Sequence, residues 1–201
     1  MISSTYPTER FNDIAKGPAT HLLRSEHTLM VRVLDVLDAA AARLKKKQIV
    51  SLSLLNEIIE FLTLYIEAEH HLKEEETLFP MLEAGGIPIQ ASPIGHLLEQ
   101  HQQSRSILQQ MQRNLIRWSI GDDDGRIMLC NQADAYSQLI REHIVEEDRV
   151  LFLLTDSLLR PEAQQAMLAH FLMLENADCR DKPPAYWEQL VAGLEKQMAD
   201  W

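Results

Sequence analysis

Ala68–Pro80 reads AEHHLKEEETLFP, two histidines beside three consecutive glutamates, after which the chain turns apolar. A surface helix tolerates such a cluster, whereas a core does not unless something there needs those groups. Leu55, Ile59, Leu62 and Ile66 lead up to it at steps of three or four. The same stripe continues through His70 and Glu74 to Leu78. The face that should be buried therefore carries an imidazole and a carboxylate. Residues four apart differ by about 40° around a helix, so both groups point at one centre.

The pattern occurs twice. HHLKEEETLF from His70 aligns with HIVEEDRVLF from His143: histidine, three residues, Glu, an acidic residue, two more, then Leu-Phe. In the second copy Tyr136 and Ile140 lead to His143 and Glu147, then to Leu151 and Leu154. Two further stripes carry one histidine each. Leu23, Met30, Leu34, Leu37, Ala41 and Leu44 leave a gap that His27 fills, and Ile94, Leu97, Leu108, Met111 and Leu115 surround His101.

These stripes predict four long helices, over Ala19–Lys47, Leu52–Leu82, Pro93–Ser119 and Asp124–Asp156. Ser51 is a predicted N-cap of the second, and EAGGIP ends it. Ser92-Pro93 supplies a cap followed by proline at the first helical position. GDDDG closes the third helix and offers an aspartate to cap the fourth. Shorter helices are expected from Pro161 and after Pro183-Pro184. The expected organisation is an N-terminal tail over 1–17, an up-down-up-down four-helix bundle over 18–157, and a C-terminal helical extension over 158–201, all-α throughout. With antiparallel neighbours, the rise of about 1.5 Å per residue places His27, His70, Glu74, His101, His143 and Glu147 at one level. Such a layer is ruinous unless paired. A dinuclear metal centre resolves it, with the glutamates able to bridge two ions; imidazole with carboxylate suits iron, and also manganese or zinc.

Composition narrows the function classes. Apolar residues make up 46% and charged residues 24%, as in a folded globular chain. The formal charge of −11 argues against nucleic acid or an anionic membrane as a partner. No stretch approaches the apolar length of a membrane span. The start, MISSTYPTERFNDIAKGP, lacks an apolar signal core, so the expected location is the cytoplasm. Cys130 and Cys179, isolated from each other, fit a reducing compartment.

LLRSEHTLM, HHLKEEETLFPMLEAGGIP, PIGHLLEQHQQSRSILQQM and LIREHIVEEDRVLF together resemble the hemerythrin-like, histidine–histidine–glutamate cation-binding family. The resemblance covers roughly Ala19 to Asp156. It implies an up-down-up-down bundle with a non-haem di-iron centre held by His27, His70, Glu74, His101, His143 and Glu147. It also implies a gaseous ligand, since members bind dioxygen reversibly, sense oxygen or nitric oxide, or handle iron under stress. This sequence departs from the oxygen carriers in two places. Where they place a second histidine on the third helix, four residues before the match to His101, it has Leu97. They also use an aspartate five residues after the histidine of the fourth helix; here Asp148 stands at that position beside Glu147. The missing histidine leaves a coordination position open, or filled by water, His71 or another nearby group.

The remaining polar residues take blander readings. His71 sits one step off the stripe and reads as a neighbour of the site or a surface group rather than a ligand. Glu75, Glu76, Glu146 and Asp148 read as a solvated acidic rim, and His21, His96 and His170 as structural or exposed. Phe79 and Phe152 read as packing that closes the layer; Tyr136, Met30 and Met111 read as core. Three functions suit this pattern: a gas-binding or sensing protein, an enzyme with peroxidase-like or nitric-oxide-reducing activity, and an interaction protein stapled by its metal.

Overall fold

The computed structural model describes residues 17–90, 92–177 and 182–201, which are helical with short connections. The predicted tail up to Lys16, and Cys179, lie outside the described residues. Helix α1 is Pro18–Lys45. Helix α2 runs continuously over 52–84, its α turns at Leu52–Phe61, His71–Lys73 and Phe79–Ala84 alternating with π turns at Leu62–His70 and Glu74–Leu78. Helix α3 is Pro93–Ser119. Helix α4 covers 123–158, with a π turn at Glu147–Leu151 between α segments Asp123–Glu146 and Phe152–Leu158. Helices α5, Pro161–Ala177, and α6, Pro184–Ala199, complete the described chain.

The first three helix ends close in the same way. Beyond α1, α2 and α3, the amides of Gln48, Ile87 and Asp122 reach back to the carbonyls of Arg43, Leu82 and Arg117. Each such closure needs one left-handed residue. Gly86 and Gly121, both at φ 97°, supply it at two ends, and Lys47 at φ 55° supplies it at the first. Lysine carries no sequence signal for that conformation, so α1 stops before its predicted end. Ser51 caps α2 by accepting from the Leu54 amide, and Asp122 is the aspartate that caps α4.

Helices α1–α4 form the antiparallel bundle, with α5 and α6 packed along α1 and α2. Two apolar clusters fill it. The larger includes Leu34, Leu55, Met111, Tyr136 and, from α6, Trp187. The smaller includes Leu23, Leu78, Leu97 and Leu151, closed by Phe171 from α5. Between the two lies a buried polar layer. The C-terminal helices thus belong to both cores.

Candidate metal centre

All six sequence-predicted residues fall in that layer. His70, Glu74, His101, His143 and Glu147 have no solvent exposure, and His27 is 2% exposed. One group, His27, His70, Glu74 and Glu147, offers ligand atoms within 4.8 Å of one another. A second, His71, Glu74, His101 and His143, does the same, with Glu74 common to both. Of its two expected places, His71 takes the one beside the site and not the surface: it is fully buried and stands among the converging rings.

The Nε2 atoms face inward. His27 Nε2 lies 3.1 Å from His70 Nε2 and 3.1 Å from Glu147. His101 Nε2 lies 3.3 Å from His143 Nε2 and 3.4 Å from Glu74. His70 and His143 approach Glu74 and Glu147 at 3.5 and 3.3 Å. No described group hydrogen-bonds to either oxygen of Glu74, either oxygen of Glu147, or His71 Nε2. Five buried polar atoms are thus left orphaned around one point, a costly arrangement that cations would relieve. Imidazole lone pairs and carboxylate oxygens are the donor set that suits iron, manganese or zinc, so the residues present fit a metal pair.

The Nδ1 atoms face outward and form a ring around the bundle. His70 on α2 donates to Glu26 of α1 at 2.7 Å. His101 on α3 donates to Glu75 of α2 at 2.7 Å. His143 on α4 donates to Gln100 of α3 at 2.8 Å, and His27 on α1 donates to Asp148 of α4 at 3.2 Å. Each helix thus orients the histidine of the next, which fixes tautomer and ring direction. Glu75 and Asp148 are therefore more than a solvated rim, while Glu76 is exposed as expected. Every acceptor in the ring adjoins a predicted site residue in sequence, as Glu26-His27, Glu74-Glu75, Gln100-His101 and Glu147-Asp148. That adjacency was the available signal for them.

Phe152 stacks on His27 at 5.4 Å and Phe79 on His101 at 5.8 Å, closing the layer on the side of the smaller core. His21 and His96 are exposed; His170, also exposed, contacts the Thr77 hydroxyl. Sequence reasoning missed Lys73, which is only 2% exposed. It pairs with Glu26 and, at 2.6 Å, with Glu175 of α5. Nothing in the helical pattern marks Lys73 as buried, because α5 is what covers it.

Electrostatics in the metal-free chain follow from this packing. Burial pushes His70 down to about 4 against the pull of Glu26. Burial, then the neighbouring His101 and His143, holds His71 well below the ordinary imidazole range. At His27 burial is outweighed by Asp148 and Glu147, which raise it to about 9. Burial, then the Glu147 charge, pushes Glu74 well up; at Glu147 the nearby His143 and His27 overcome burial and hold it well down.

The family model described as the hemerythrin HHE cation binding domain matches residues 19–154, from the start of α1 to near the end of α4. The chain belongs to this family. Membership in the hemerythrin HHE family implies cation binding, and the two histidine–glutamate groups are where this chain offers it. Two uncharacterized proteins, of Mycobacterium bovis and Mycobacterium tuberculosis, are each 27% identical to it over 130 residues, 65% of this chain and 50% of theirs. The chain thus spans about half the length of these curated relatives. No solved structure matches it significantly. Among the described residues no helix is long and apolar enough to cross a membrane.

Proposed function

We propose that this chain is a non-haem dinuclear iron protein that takes up a small gaseous ligand, dioxygen or nitric oxide, in binding, sensing or iron handling under oxidative or nitrosative stress. The observation that carries this reading is the set of orphaned buried atoms, His71 Nε2 and the carboxylate oxygens of Glu74 and Glu147. In this reading His27, His70 and Glu147 would hold one ion and His71, His101 and His143 the other, with Glu74, common to both groups, serving either. His71 is the candidate for the position that Leu97 leaves without a histidine. Bound iron would supply a redox-active Lewis acid. The chain's own contribution is to fix five imidazoles by their Nδ1 hydrogen bonds and to exclude bulk water with Phe79, Phe152 and the two apolar clusters. Manganese or zinc would fit the same donors.

A second reading, an enzyme consuming peroxide or nitric oxide, draws on one feature. Four of the five Nδ1 acceptors are carboxylates, namely Glu26, Glu67, Glu75 and Asp148. Carboxylate acceptors make imidazole a stronger donor and favour the more highly charged ion. Metal analysis of protein purified from its native host tests the dinuclear reading, with two irons per chain expected and fewer than two ions overturning it. Optical spectra of the reduced iron protein with and without dioxygen, and anaerobic turnover with nitric oxide or peroxide, then separate gas binding from catalysis.

A further inference from the structure

The two halves of the bundle are related by their repeat, and one polar pair breaks the relation. In the alignment of HHLKEEETLF with HIVEEDRVLF, His71 stands opposite Ile144, and extending the alignment backwards places Glu67 opposite Ile140. Both isoleucines are buried core residues. One half thus replaces an apolar i,i+4 pair by a carboxylate and an imidazole that contact each other.

We infer that Glu67 is the positioning residue that makes His71 a ligand and so makes the two ion positions unequal. The inference rests on the dinuclear reading above. His71 Nδ1 donates to Glu67 at 3.0 Å, which leaves Nε2 pointing into the site with no partner. The other four histidines are oriented from a neighbouring helix, whereas His71 is oriented from its own. That makes the rigidity of Glu67 decisive, and three groups from two other helices hold it. Ser104 of α3 donates to it at 2.6 Å, Tyr136 of α4 at 3.3 Å, and the Arg105 guanidinium lies 3.3 Å away. The Glu67 side chain is 8% exposed, so few water molecules compete for these bonds. A carboxylate clamped by three groups from two helices, with one bond left for His71, fits an orienting role, and removing such a partner typically weakens metal binding by about 10–100-fold.

The test is a double-mutant cycle read by cobalt(II) titration of the metal-free protein, followed by visible absorption under a competing chelator. Glu67→Gln is close to isosteric and keeps a hydrogen-bonding group for Ser104 and Tyr136. The parent should take up two ions; fewer than two would sink the dinuclear reading itself, separately from this inference. Glu67→Gln and His71→Ala should each weaken one ion by about 10–100-fold and leave the other unchanged. In the His71→Ala background, Glu67→Gln should cost nothing further. The same loss in both backgrounds, or no loss in either, overturns the inference. Should Glu67→Gln fail to melt cooperatively, Ser104→Ala takes its place in the same cycle, with a smaller loss expected in the parent and none with His71→Ala. An equal loss in both would again overturn it.

Discussion

His71 lies flat against His101, ring centroids 3.8 Å apart and 14° from parallel. Two helices thereby present His71 and His101 to one side of the site, while among the described residues the opposite side has two histidines, His27 and His70, with Glu147. The expected consequence is two unequal iron environments. Mössbauer spectra of the iron-loaded parent should show two distinct quadrupole doublets. In His71→Ala the doublet of the three-histidine position should shift and the other stay in place. A single doublet in the parent would mean that His71 is not coordinated.

Replacing His70 and His143 together removes one anchor from each histidine–glutamate pair. Stoichiometric metal binding should vanish while the chain stays mostly helical, because the apolar stripes around both positions persist. Metal content and circular dichroism check this. Retention of two ions per chain would show that the donors lie elsewhere.

The repeat was legible because its period matches an α-helix: His70, Glu74, His143 and Glu147 each extend an apolar stripe. So were His27 and His101, each filling a gap in one. His71, Glu75 and Asp148 each stand one residue past the stripe. The period of a single helix does not show that His71 is covered by the ring of His101, or that Glu75 and Asp148 meet His101 and His27; those contacts come from other helices. Lys73 was illegible because its burial depends on Glu175, far away in sequence.

In the metal-free protein, His27 and His70 give opposite pH slopes. His27 titrates near 9 when folded against about 6.5 ordinarily, so its contribution is complete below about 6.5 and is lost as pH rises through 9. His70 titrates near 4, so the unfolded chain binds the extra proton between about 4 and 6.5 and stability falls as pH drops through that window. The urea midpoint of the metal-free protein should therefore decline from pH 6.5 toward pH 9, and His27→Gln should flatten that arm. Metal uptake must displace the proton on His27, and those held by Glu74 and His101, whose pKa values are also raised, so apparent affinity should rise with pH between 7 and 9. A flat chelator-competition profile between pH 7 and 9 would contradict this.

Lys73 holds Glu26, which orients His70, and also Glu175 of the C-terminal extension. Lys73→Met keeps the volume but leaves Glu26 buried without its cation. Breaking one side of a buried ion pair costs about 3–5 kcal/mol, and the partial exposure of Glu175 places this case toward the lower end. Urea unfolding of the metal-free variant should show that loss. Lys73→Met combined with Glu26→Gln should recover part of it, because the stranded charge is gone. Parent-like stability in the single variant would mean that the triad contributes nothing.

Leu97 occupies the position where the oxygen carriers place their additional histidine. It is fully buried in the smaller core with Leu23, Leu78 and Leu151. Leu97→His inserts an imidazole of similar size there, four residues and about 40° from His101. With His71 already beside His101, the new ring would gain no ion and would be buried without a partner. The cost should be about 1–3 kcal/mol of stability with no gain in metal retention. In a His71→Ala background the outcome should reverse: the position beside His101 is vacated, and Leu97→His should restore retention of the second ion under chelator challenge. Both variants can be read by thermal melting of the metal-free protein and by metal content after dialysis. If Leu97→His tightens the second ion while His71 is present, then His71 does not fill that position.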